Sequence, residues 1–435
     1  MDVITYTITS LPAAQKEVYS PGGSYFLPHI LVLCKQAELS NGNVVFFNTL
    51  ADQYKWYKQL VAEIGDDNSL LAPKAKELTQ GIGNDIDRVK TIFNWVQRNI
   101  RYIAFEDGIA GFKPAKAIDV LNKKYGDCKG MANLMKGMLR SIGLDARLCW
   151  IGTNHIAYDY STPSMSVDNH MICAWIYNGK KYFLDATETN IGFNEYAERI
   201  QNRQTLIENG DNYLLDNVPS TTPLQNMEKE KSVLSFDGET NLKGSVTQTY
   251  KGESRSGLLS SIQNVKKENL QQSLMKYLSE ANQDYAINNL KTNDLLGTDS
   301  VLNISYDLLH KNGASSFGKE IYVDIDFRKE FDGFLIDTSK RKTDRMLAHK
   351  QHEITEVELT VPDGYKVTQL PASATWQHPN ASISLSYKQQ GNKIFYKKEI
   401  TIADIWMKKI TFLQWNKMIG ELSKQYREQI VLAKQ

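Results

Sequence analysis

The hydrophobic period changes along the chain, and that change limits the fold more than any single motif. From Asp52 to about Ile142 apolar residues recur every three or four positions; after about Val218 they mostly alternate. The first spacing belongs to helices and the second to strands. Helices gathered in front of strands predict an α+β fold, not an alternating βαβ one. In NDIDRVKTIFNWVQRNIRY, Ile86, Val89, Phe93, Val96 and Ile100 form a buried stripe behind an Asn84 or Asp85 cap. DQYKWYKQLVAEI and LLAPKAKELTQ share the helical texture, EDGIAGFKPAKAIDVLNKKYG reads as a loop, and CKGMANLMKGMLRSIG is a second strong helix. Strands follow at ARLCWIG, NHMICAWIYN and KKYFLDATE. Beyond Val218, short alternating segments with turn signals predict a β-sandwich or related β-domain, interrupted by one helix over about Lys266 to Ala281. Residues 1–50 read as strand and loop: Val3, Thr5 and Thr7 alternate with Ile4, Tyr6 and Ile8, and Asn41-Gly42 marks a turn.

Composition narrows the function more than the fold. With 51 Lys+Arg against 50 Asp+Glu in 435 residues, the net charge of +1 leaves no electrostatic footprint for nucleic acid or an anionic membrane. Apolar runs such as Ile30 to Cys34 fall far short of the roughly 20 residues that cross a bilayer. Four cysteines, Cys34, Cys128, Cys149 and Cys173, are too few for a disulfide scaffold and lack the CxxC spacing of a zinc knuckle. The first twenty residues lack a basic start and an apolar stretch, so either the chain is intracellular or its beginning is missing.

The chemistry concentrates between Tyr125 and Glu188. Asp127 can cap the helix that Gly143 ends, and Met131, Leu134, Met135, Met138, Leu139 and Ile142 make its apolar stripe. Cys128 falls on that face in the first turn, where unpaired backbone N–H groups and the helix dipole favour a thiolate and can hold an oxyanion. Alone, such a cysteine is more often a small buried hydrophobe.

The hairpin that follows shifts the balance. With Asn178-Gly179 as a two-residue type I′ turn, Tyr177 faces Lys180 and each cross-strand pair sums to 357, so Ile172 faces Asp185. His170 shares that face, diagonal to Asp185 at a Cα separation of about 7 to 8 Å. A slip of one residue would remove Asp185 from it. Met171, Cys173, Trp175 and Tyr177 lie on the other face with Tyr182 and Leu184, which makes Cys173 structural. A cysteine at a helix start with a facing His–Asp pair is the logic of an activated thiol nucleophile. His155 has no facing acid and reads as a loop histidine, and Trp95 reads as a packing residue. A zinc site from Cys128, Cys149, Cys173 and His170 would need opposite strand faces. The 104–114 loop, AFEDGIAGFKP, is expected to border the cleft, and SKRKTDR at 339–345 to be a solvated loop.

The segments GDCKGMANLMKGMLRSIGLDARLCWIG and DNHMICAWIYNGKKYFLDATE resemble the transglutaminase-like superfamily, whose papain-like core carries Cys on a helix and His and Asp on the following strands. FNWVQRNIRY, the GIAGFKPAKAIDVLNKKYGDCKG loop and the stretch from PDGYKVTQLP to REQIVLAK are similar to its bacterial group with flanking β-domains. The resemblance covers about residues 52–435 and implies Cys128 as nucleophile, His170 as general base and acid, and Asp185 as its orienting partner. It also implies domains at 1–50 (a remnant of an N-terminal β-domain or an extended arm), 51–217 (the catalytic core) and 218–435 (a β-rich region), and export with the signal peptide missing. Gly130 stands where that group often has Asp. The implied activity is thiol-dependent acyl transfer on a peptide or amide without cofactor or metal, with water as the default acceptor. The alternatives are a catalytically silent scaffold for binding or assembly and an amine-accepting cross-linking enzyme.

Overall fold

The computed structural model describes residues 4–11, 13–40, 42–104, 106–280, 282–293, 295 and 301–435. Helix α1 (Leu50–Ala62) starts at Thr49, whose hydroxyl and backbone N–H exchange hydrogen bonds with Asp52 in a capping box. Helices α2 (Ala72–Thr79) and α3 (Asp85–Asn99) follow; Asn84 caps α3 by accepting the Asp87 N–H at 2.9 Å, and Val89, Phe93, Val96 and Ile100 are buried as their spacing requires. The supposed loop before the second strong helix contains α4 (Ala117–Lys123). Its Ala117, Val120 and Leu121 are buried against the helical core, a three- and four-residue spacing that the flanking Gly and Pro obscure.

Helix α5 (Cys128–Ser141) is the hub, buried at every position from Cys128 to Leu139. A single stripe predicts one wet face, but the polar residues there are paired instead. Lys129 meets Asp127, Lys136 meets Glu208 at 3.2 Å, and Asn133 donates to the Ala115 carbonyl at 3.0 Å. Close packing needs its glycines: a Cβ on Gly137 would lie 2.4 Å from Leu71 Cδ1, and one on Gly130 would lie 3.1 Å from Val120 Cγ2.

Behind α5 stands a five-stranded antiparallel sheet of β1 (Ala146–Ile151), β2 (His170–Tyr177), β3 (Lys180–Leu184), β4 (Gln204–Asn209) and β5 (Asn212–Asn217), in the order β3-β2-β1-β4-β5. The β2–β3 register pairs Tyr177 with Lys180 and Cys173 with Leu184, so every pair sums to 357 as expected. Asn178 and Gly179 take φ of +50° and +74°, the left-handed pair of a type I′ turn.

Beyond residue 218 the chain is mostly β. An eight-stranded sheet contains Met227–Asp237, Asn241–Tyr250, Leu302–His310, Gln351–Thr360, Ala381–Gln390 and Lys393–Ile402 among its strands, and a separate four-stranded sheet holds Ile430–Lys434 as an interior strand. The large sheet is mixed, because Met227–Asp237 runs parallel to Gln351–Thr360. Among the described residues three α-helices interrupt this half, not one: α6 (Gly252–Ile262), α7 (Leu270–Leu278) and α8 (Phe412–Gln425). Helix α7 occupies the expected position, although Ala281 lies outside the described residues. Helix α6 is Ser- and Gly-rich and has little pattern to read. Helix α8 buries Phe412, Trp415, Met418, Ile419 and Leu422 at helical spacing, a signal submerged among strands.

Val3 and Asn41 of the N-terminal expectations also lie outside the described residues. Ile4, Tyr6 and Ile8 alternate but join no sheet and remain exposed, because alternation without a partner strand satisfies no backbone hydrogen bond. Farther along, Gln36–Leu39 and Gly42–Val45 form a two-stranded ribbon. Between these, the Glu17 carboxylate accepts the N–H groups of Lys342 and Thr343 at 2.7 and 3.0 Å, so the 339–345 run is in part a docking point and not purely a solvated loop.

Candidate active site

Asp127 takes the Gly130 N–H at 2.8 Å, capping α5 so that Cys128 is its first residue. As the first two helical positions, Cys128 and Lys129 have N–H groups with no intrahelical acceptor. His170 begins β2, and Asp185 follows the last residue of β3, one step past the Cys173–Leu184 pair that ends that ladder. The turn that sets the register therefore delivers both to one point. His170 Nε2 donates to Asp185 Oδ2 at 2.8 Å, and the Cys128 thiol hydrogen-bonds the same ring. All three side chains are buried.

The charges are set by this packing. Burial pulls the His170 ring down, but the adjacent Asp185 carboxylate and the hydrogen bonds outweigh it and push the ring up to about 9. Burial would raise Asp185, yet the His170 and Arg199 charges and the hydrogen bonds from His170 and Thr187 hold it well below the usual carboxylate range. At neutral pH the pair is imidazolium and carboxylate.

A cleft of about 270 Å³ opens beside these residues, lined by Tyr57, Phe112, Cys128, Trp150, Asp168 and His170 among others. The 104–114 segment borders it through Glu106, Gly108, Gly111 and Phe112, as its sequence position suggests; Phe105 lies outside the described residues.

Residues 73–179 match the model of the transglutaminase-like superfamily, and residues 319–432 match that of a domain of unknown function with a solved structure, DUF3858. The chain carries a transglutaminase-like core. Cys128 and His170 fall inside the matched stretch and Asp185 just beyond it. Among solved structures, a provisionally assigned protease from Parabacteroides distasonis ATCC 8503 superposes with a TM-score of 0.56 at 12% identity over 97% of this chain. The chain spans 64% of the length of that protein. A provisionally assigned cysteine protease from Cytophaga hutchinsonii overlaps 28% of this chain and 37% of its own, at 21% identity and a TM-score of 0.23. No curated protein matches the chain.

Around the pair, the transglutaminase-like core supplies a shell that the sequence did not reveal. Asp185 Oδ1 accepts the Thr187 hydroxyl at 2.6 Å and its N–H at 3.2 Å, while Oδ2 also accepts Arg199 Nη2 at 3.1 Å. Arg199 is held in turn by Glu188 Oε1 at 2.7 Å. Thr187 could have been found, because a hydroxyl two residues after a carboxylate makes a local turn. Arg199 has no local signal; only the tertiary fold brings it 14 positions back. Among the remaining candidates, His155 is on an exposed loop, where its carbonyl accepts Ser24 Oγ at 3.2 Å. Trp95 is outside the cleft lining, with the Lys124 ammonium 4.7 Å from its ring. The thiols of Cys149 and Cys173 are pushed up by burial, Cys173 to about 12, and belong to a different apolar cluster from Cys128. Both fit structural roles.

Proposed function

We propose that this chain is a thiol hydrolase that cleaves a peptide or amide bond through a thioester on Cys128, with the chemistry housed in residues 51–217. The observation that carries the reading is His170 joined to Asp185 through Nε2 while the Cys128 thiol bonds its ring. With Nε2 taken by Asp185, Nδ1 is the ring nitrogen left to serve the thiol. An imidazolium beside a thiol at a helix start favours the thiolate. The Cys128 sulfur attacks the carbonyl carbon, and the oxygen takes negative charge near the first N–H groups of α5. Collapse of the adduct breaks the C–N bond as His170 gives its proton to the leaving amine. Water then attacks the thioester, His170 takes a water proton, and the acid leaves with Cys128 restored. Asp185 keeps the ring oriented and stabilises its cation throughout.

Water is the preferred acceptor because selecting an amine requires a site that binds it or excludes water. The provisional assignment of the Parabacteroides distasonis protein as a protease agrees with hydrolysis. Residues 218–435 are proposed to be a β-rich partner region that helps to present the substrate. Iodoacetamide labelling located by mass spectrometry tests the core of the reading. Cys128 is expected to label at about pH 6 to 7 faster than a free thiol, and His170→Ala is expected to abolish the advantage. A rate no higher than that of a free thiol in the wild-type chain would leave the scaffold reading in its place.

A further inference from the structure

Asp168, two residues before His170, is the feature of the cleft that the mechanism leaves unused. Its Oδ2 accepts the hydroxyls of Tyr57 at 2.8 Å and Tyr160 at 2.9 Å. Its Oδ1 makes no hydrogen bond among the described residues, and Asp168 lines the same cavity as Cys128 and His170. Both phenols are tied into the scaffold. Gln53 donates from Nε2 to the Tyr57 hydroxyl at 2.9 Å and to the Ser164 carbonyl at 2.8 Å, and the Tyr57 ring stacks on Trp150 at 4.8 Å with a 6° interplanar angle. A half-satisfied carboxylate is thus fixed at the edge of an aromatic wall.

Among the described residues, the buried charges around the cleft are paired except at Asp168. His170 is matched by Asp185, Arg199 by Glu188, and Lys129 by Asp127. No cation lies within ion-pair distance of Asp168 among the described residues. Glu106 also borders the cleft but is exposed, where solvent screens it. Holding an unneutralised carboxylate in such a place is costly unless a ligand completes it. Burial pushes its carboxyl up to about 6 against the two phenol hydrogen bonds, which is the direction expected of a site short of a positive partner. A primary ammonium would supply both the missing donor for Oδ1 and the missing charge, beside the stacked pair of Trp150 and Tyr57 that walls the cavity.

We propose that Asp168, with Tyr57 and Trp150, forms a subsite for a protonated primary amine, so that the enzyme acts on amides bearing an ammonium group close to the scissile bond. This rests on Cys128 being the nucleophile. The ammonium belongs either to the α-amine of a peptide or to a lysine-like side chain, and the two share the same recognition.

Three methanethiosulfonates of differing charge test the subsite without a known substrate: the cationic 2-aminoethyl, the neutral methyl and the anionic 2-sulfonatoethyl reagents. Rates at Cys128 are normalised to those with a free thiol. The cationic reagent should be favoured over the neutral one by about tenfold and the anionic one disfavoured, the scale of one charge pair a few ångström apart. Asp168→Asn, which keeps an acceptor for both phenols, should bring the ratio of cationic to neutral rates close to one. Equal normalised rates in the wild-type chain, or a preference lost with Glu106→Gln and kept with Asp168→Asn, would overturn the subsite while the nucleophile stands. Normalised rates below one for all three reagents would sink the nucleophile reading itself, and the subsite with it. Protection of Cys128 from the neutral reagent by alanine amide would assign the site to an α-amine, and protection by Nα-acetyl-lysine amide to a side-chain amine. Protection by neither would also overturn the proposal.

Discussion

Replacing Asp185 with Asn removes a charge while nearly preserving shape, and its consequences can be followed from the side chains it touches. Lifting the His170 ring from its ordinary 6.5 to about 9 favours imidazolium by about 3 kcal/mol, at about 1.4 kcal/mol per pH unit. In Asp185→Asn the burial and the Arg199 charge that lower the ring are opposed only by the smaller effect of the Cys128 hydrogen bond, so the ring should titrate below 6.5 and be neutral at pH 7. An amide also offers an NH₂ to one side of a site where Thr187, His170 and Arg199 all present donors. Alkylation of Cys128 at about pH 7 should fall by about a hundredfold. Stability should change its pH dependence as well. A raised His170 contributes fully below about 6.5, where folded and unfolded rings are both protonated, and its contribution is lost as pH rises through about 9. The depressed Asp185 works in the other sense: its contribution is present above the ordinary 3.8 and is lost as pH falls through its lowered value. The wild-type core should therefore lose about 3 kcal/mol between pH 6.5 and 9 from this pair, and Asp185→Asn should lose much less. Histidine-selective NMR titration reads the ring directly. A His170 resonance that still titrates near 9 in the variant would refute the electrostatic account, whatever happened to activity.

Other perturbations separate the site from its support. Arg199→Met should cost about 2 kcal/mol in thermal unfolding, because two charge-assisted contacts are lost, and should slow Cys128 alkylation less than Asp185→Asn does. Cys173→Ala should cost about 1 kcal/mol in chemical unfolding and leave Cys128 labelling intact, since its buried thiol belongs to packing. Gly152→Ala would put a Cβ 2.3 Å from the Val167 carbonyl oxygen. It should destabilise the chain by about 3 kcal/mol, read as a lowered melting temperature, because one of two backbone segments must move.

The sequence disclosed what depends on short range and stayed silent on what depends on long range. Asn178-Gly179 fixes the hairpin register locally, so the approach of His170 to Asp185 could be worked out by counting. Asp127 and Gly143 punctuate α5 and locate Cys128 in its first turn. The complete burial of α5 could not be read in this way, since Lys129, Asn133 and Lys136 look like a wet face until Asp127, Ala115 and Glu208 are brought to them. Arg199 and Asp168 were invisible for the same reason. Each owes its importance to partners distant in sequence: Asp168 to Tyr57, which approaches across 111 residues. The N-terminal alternation misled in the opposite direction, because a strand pattern is only half of a ladder.

An element packed on every side cannot tilt or slide without opening the core around it, and α5 is such an element. Its amide protons should therefore exchange with solvent only through openings that cost nearly as much as unfolding the whole core. The Cys128 sulfur is then a fixed point, and under the proposed function adjustment to different substrates would fall to the 106–112 edge of the cleft, where short turns and glycines replace packed helix. Selection for new specificity in a protein of this kind would be expected to leave its mark on that rim and on Asp168, while the helix that bears Cys128 stays constant.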